Sequence, residues 1–132
     1  MNASHELRKA IITALNAHAP LMAIVTKVYD DVPPNAVFPY VSWGPEQWIN
    51  DDADCQEALE GSLQIDVWSK EIGYRQCSEI TDAVRKALNH APITLADNAL
   101  VDLEVEQIRH MKDADERVRH GVVTIKAMVE VG

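Results

Sequence analysis

The stretch LVDLEVEQIRHMKDADERVRHGVVTIKAMVEV, residues 100–131, decides the fold. Apolar residues alternate through Val101, Leu103 and Val105 on its first arm and through Val123, Ile125 and Ala127 on its second. The charged run Lys112–Glu116 between the arms reads as a turn. Placing Met111 opposite Arg117 sets Val101 against Ala127, Leu103 against Ile125 and Val105 against Val123, all on one face. Asp102 then opposes Lys126 on the other. A slip of one residue would mix the two faces, so the apolar pattern selects this register. Toward the tip Gln107 meets Gly121 and Arg109 meets Arg119, and the core row turns polar and then like-charged. The expectation is a closing hairpin whose outer half projects beyond the body of the domain.

Upstream of the hairpin, Ser4 is placed to cap a helix carrying Leu7, Ala10, Ile11, Ala14 and Leu15 at helical spacing until Pro20. Val28-Tyr29 is a brief extended segment, and Val37–Gly44 reads as a strand that Pro39 places at an edge or a strand start. From Gly44 to Glu60 the alternation fails, and between Pro45 and Ser69 acids occur without any Lys or Arg, which suggests an acidic loop or ribbon tip. A strand with Leu63, Ile65 and Val67 on one face follows. A second helix then carries Tyr74, Cys77, Ile80, Val84 and Leu88 on one stripe and ends at Asn89-His90. The predicted fold class is α+β: an antiparallel or mixed sheet of about four to five strands with two main helices on one face. Residues 1–132 form a single domain.

A chain of 132 residues can build one core but not two. A formal charge of -9 repels duplex nucleic acid on average, and no apolar run is long enough to span a bilayer. The N-terminus leads directly into a helix with no secretory pattern, so a cytoplasm is the expected place of synthesis and residence. Cys55 and Cys77 lack zinc-site spacing and read as reduced thiols.

The usual signatures of catalysis and cofactor binding do not occur. Histidines 5, 18, 90, 110 and 120 form no HxxxH or HxH pair, and only His110 and His120 come together, as diagonal neighbours in the expected register. Asp51-Asp52-Ala53-Asp54 fails as a calcium loop, because the sixth position from Asp52 is Glu57 and the twelfth is Leu63. No serine lies in a GxSxG context and the glycines build no phosphate loop. No catalytic residue, metal ligand or cofactor is expected. One charge feature stands out: Arg109, Lys112, Arg117 and Arg119 crowd the hairpin end, interleaved with Asp113, Asp115 and Glu116. Two readings stay open, a solvated self-paired tip or a docking arm for an acidic neighbour such as the 45–60 segment of another copy. A small nucleic-acid-binding module using the basic hairpin is the alternative from another class. An enzyme built on His110, His120 and distant acids is a third.

With the segments in place, the chain resembles the tail completion family of long-tailed bacteriophages, also described as tail terminator or tail-to-head joining proteins. The pieces are Val28-Tyr29-Asp30 followed by Pro33 and Phe38-Pro39-Tyr40-Val41, then Asp66-Val67-Trp68-Ser69 with Gly73-Tyr74, then Ala83-Val84-Arg85-Lys86-Ala87-Leu88, and Arg117 to Gly121 with the last strand. The resemblance implies a non-enzymatic virion assembly protein that caps the head-proximal end of the tail tube as a ring, usually of six subunits. It also supplies the tail side of the head–tail joint. The implied partners are further copies of the chain, the tail tube protein and the head completion or connector protein, with DNA passing through the lumen unbound and no membrane involved. The isolated chain can remain monomeric where ring closure depends on the tube. On this reading Arg109, Lys112, Arg117 and Arg119 dock a subunit or the tube, while Asp51, Asp52 and Asp54 line or rim the lumen. The site of action is the host cytoplasm during assembly and the tail or neck of the finished virion.

Overall fold

The computed structural model describes residues 1–53 and 55–132. Helix α1 (Ala3–Ala17) and the short α2 (Ala19–Met22) precede β1 (Val28–Tyr29), β2 (Tyr40–Asn50) and β3 (Ala58–Ser69). Helix α3 (Arg75–Leu88) and the hairpin of β4 (Ala99–Lys112) and β5 (Arg119–Glu130) complete the chain. The strands form one sheet in the order β1-β2-β3-β5-β4, with β1 parallel to β2 and every other pair antiparallel. This is the expected α+β class, with a mixed sheet and the helices covering one face.

The core lies between that face and the helices. Leu63, Ile65 and Val67 of β3 and Val123, Ile125, Ala127 and Val129 of β5 meet Leu7, Ile11 and Leu15 of α1 and Cys77, Ile80, Val84 and Leu88 of α3, all essentially without exposure. Helix α1 begins two residues earlier than Ser4 suggested. Asn2, in extended conformation, accepts from the backbone N–H of His5 at 2.9 Å, and Ser4 is already helical.

Two sequence expectations are corrected by bulges. The first concerns β2, which runs on to Asn50 because the register shifts between Trp43 and Glu46. Pro45 sits in that shift, where its missing N–H removes little from the ladder. The turn between β2 and β3 therefore spans only 51–57. The bulge directs Glu46 to the helix side, where its carboxylate accepts from Trp43 Nε1 at 2.8 Å, Trp48 Nε1 at 3.1 Å and Arg8 Nη2 of α1 at 3.1 Å. Trp48 lies flat over Gly61, where any Cβ would come within 2.8 Å of the indole.

The second correction is the hairpin register. Leu103 pairs with Ala127 and Val105 with Ile125, two residues from the expected partners, which keeps the faces unchanged. A slip between Val105 and Gln107 then sets Ile108 against Val123, Arg109 against Val122, His110 against Gly121 and Lys112 against Arg119. The unbroken register would have turned Ile108 to the open face. Looping out Glu106 brings it into the inner row, where it packs on the core. Val101, expected inward, lies in a further shift between Leu100 and Asp102 and is exposed. Because β5 is bonded to β3 along its whole length, only the 113–118 turn passes beyond the sheet. The free edge of β4 is closed in its first half by the α3 terminus: His90, at φ 55°, donates its N–H to Leu103 O at 2.8 Å, and Asn89 Oδ1 accepts from Val105 N at 3.0 Å.

Two stability predictions follow from this packing. A Cβ on Gly121 would meet Thr81 Cγ2 at 2.6 Å and Cys77 Sγ at 3.0 Å. Gly121→Val should therefore lower unfolding free energy by about 2 kcal/mol in denaturant titration. Burial opposes the charge of Glu46, but the donors from Arg8, Trp43 and Trp48 outweigh it and hold the carboxyl below its ordinary value. A depressed folded pKa contributes stability that is full above the unfolded value near 4.5 and is lost as pH falls through the folded one. Glu46→Gln should lower stability at pH 7 and flatten the acid limb of a melting-temperature profile below pH 4.5.

Candidate interaction surfaces at the two ends of the sheet

The four hairpin cations reach the same end of the sheet but not the same face. Arg109 opposes Val122 on the open face, whereas Lys112 and Arg119 oppose each other on the helix side. Arg117 stands in the turn, where its guanidinium grips Asp115 through Nε and Nη2, each at 3.1 Å. That pairing holds the Asp115 carboxyl below its usual range. Arg119 donates to Glu116 O at 2.7 Å and lies over the Tyr74 ring at 5.3 Å, while its Nε is buried without an acceptor. The cations thus form no continuous basic stripe of the kind that tracks a nucleic-acid backbone.

Sequence reasoning missed the rest of this end. The β3–α3 connector carries Lys70 over the Phe38 ring at 4.4 Å and Ile72 with 95% of its surface exposed. A cleft of about 450 Å³ is lined by Lys70, Ile72, Glu116, Arg117 and Arg119. The available signal was an isoleucine outside every periodic stripe and next to Gly73, which takes φ 80°.

The acidic turn lies at the opposite end. Asp51 and Asp52 are exposed, and Asp52 Oδ1 accepts from Ala58 N at 3.0 Å; Asp54 lies outside the described residues. Exposed Asp102, Glu104, Glu106 and Glu130 extend the same charge across the neighbouring strands, relieved by Lys126, which pairs with Glu60 at 3.0 Å.

The two hairpin histidines, expected on one face, are separated by the β4 bulge. His110 turns to α3, with Nε2 at 2.8 Å from Thr81 Oγ1, and His120 lies on the open face, stacked on Trp68 at 3.9 Å. His120 Nε2 is 2.7 Å from Asp66 Oδ1, and that oxygen also accepts from Gln64 Nε2 at 2.9 Å. Trp68 Nε1 donates to Ser42 Oγ at 3.0 Å, so the Ser42 hydroxyl is engaged by the indole. The cluster is a polar clasp across β2, β3 and β5. Among the described residues no three His, Cys, Asp or Glu side chains are grouped as metal ligands, and no helix is long and apolar enough to cross a membrane.

Residues 9–130 match the family described as tail completion protein gp17. The chain belongs to this phage tail completion family. Its fold superposes with a TM-score of 0.90 on a chain from the virion of a native gene transfer agent particle, at 29% identity over 96% of both chains. It superposes with a TM-score of 0.62 on the gp17 protein of bacteriophage SPP1, at 22% identity over 95% of this chain and 89% of that one. No curated protein matches it in sequence. Tail completion is a structural role in a virion.

The polar clasp supplies a test of the open face. Asp66 is 7% exposed, and its removal leaves His120 and Gln64 without their shared acceptor. Asp66→Ala should cost about 1–3 kcal/mol in denaturant unfolding, with the loss visible as a change in Trp68 fluorescence.

Proposed function

We propose that this protein caps the head-proximal end of a tail tube as a ring of identical subunits, six on the family pattern, and forms the tail side of the head–tail joint. The observation that carries the reading is the coincidence of the whole fold, over 96% of both chains, with a chain from a gene transfer agent virion. The charge distribution supports it. Acids concentrate at one end of the sheet, and a passage rimmed by Asp51, Asp52 and Asp54 offers phosphate no strong attraction, so DNA slides through without being held. Arg109, Lys112, Arg117 and Arg119 supply docking contacts to a neighbouring subunit or to the tube. The tail tube protein lies on one side and the head completion or connector protein on the other. Assembly takes place in the host cytoplasm and the product stays in the tail or neck of the particle.

Mixing the purified protein with cognate tail tubes tests this by electron microscopy. Capped ends and arrested tube growth are expected, and tubes that elongate and stay bare in its presence would overturn the reading.

A further inference from the structure

We infer that the cleft at the tip end receives the 51–57 turn of a second copy of this chain. The inference rests on the ring reading above and deepens it by saying which surfaces close the ring. Ile72 is more exposed than any other large apolar side chain among the described residues. Around it Lys70 and Arg119 are held by stacking on Phe38 and Tyr74 instead of by carboxylates, so their charge remains available. Arg117, already paired with Asp115, completes the rim, and among the described residues Glu116 is the one acid lining the cleft. An apolar knob inside a cationic rim suits an acidic segment that brings its own apolar contact. The β2–β3 hairpin has both: Asp51, Asp52 and Glu57 are exposed in the turn, and Ile49 beside them is 55% exposed. Aromatic and arginine side chains around a central apolar anchor are the usual composition of an energetic centre in protein interfaces.

The two surfaces cannot meet within one chain. They lie at opposite ends of β3, whose 12 residues span about 36 Å. Contact between them is head-to-tail, the kind that closes into a ring when the rotation permits. Geometry adds a constraint. If the strands ran along the ring axis, every cleft would lie on one face and every acidic turn on the other, out of reach. Cleft-to-turn docking requires the sheets to run around the ring, end to end, so that the acidic rim is also the seam between subunits.

The chain carries a handle for the test. Cys55 is exposed in the turn, while Cys77 is buried, with its thiol pushed up to about 11 by burial, and stays silent. Ile72→Cys is oxidised with glutathione disulfide, both at high protein concentration and on cognate tail tubes. The expected product is a 55–72 disulfide between copies, seen as a ladder that closes to a ring and vanishes in the I72C/C55S double variant. Lys70→Glu with Arg117→Glu should lower its yield at least tenfold, and Asp51→Lys with Glu57→Lys should restore it. A 72–72 dimer that persists without Cys55, a cross-link to the tube protein, or no cross-link on tubes that wild-type protein caps would each overturn the docking site and leave the capping role standing. Failure of wild-type protein to cap tubes would overturn the capping role, and the cross-link at high concentration would then decide the docking site alone.

Discussion

The structure depends on β5 being bonded on both sides along its whole length. Its 12 residues pair with β3 across Ala58–Ser69 and with β4 across Ala99–Lys112, so its inward row, from Gly121 to Val129, is the line against which α3 packs. Because that row must stay continuous, irregularity is displaced to its neighbours. β4 loops out Glu106 to keep Ile108 inside, and β2 bulges at Gly44-Pro45, which directs Glu46 to the helix side. Strands that flank a fully buried row cannot drift, since a single uncorrected step would expose every side chain beyond it.

The polar contacts have a matching arrangement. Three buried or half-buried carboxylates each join elements distant in sequence. Glu6 ties α1 to the segment before β4 through the N–H groups of Asp97 and Asn98, Glu46 ties α1 to β2, and Asp66 ties β3 to β5 through His120. Each accepts at least two hydrogen bonds, the condition under which a carboxylate is tolerated away from water. The two ends of the sheet differ in exposed charge, acidic at the β2–β3 turn and mixed with cations around an apolar cleft at the other end.

The readable parts of the sequence were those where one physical demand dominated. Alternation in Leu63–Val67 and Val123–Ala127 assigned strands and inward faces correctly, since each lies in a regular ladder between two others. The stripe Cys77, Ile80, Val84, Leu88 likewise marked α3 nearly to its ends. The acidic segment is shorter than its composition suggests, because Glu46 resembles another solvated acid in the sequence while its partners are two indoles close in sequence and an arginine 38 residues away. Ile72 gives no sequence signal of its own, because a lone apolar residue in a connector has no periodicity to break.

By itself the sequence determined the fold class, the order of elements, the inward faces of the central strands and the concentration of opposite charges at two hairpin ends. Each follows from burial and local spacing, which act over a few residues. Tertiary structure alone decided the hairpin register, the separation of His110 from His120 and of Arg109 from Arg119, and the meeting of Lys70 and Ile72 with Arg117 and Arg119 in one cleft. Those outcomes hinge on where one unpaired residue is placed in an edge strand. That placement is set by packing against a helix and a central strand far away in the chain.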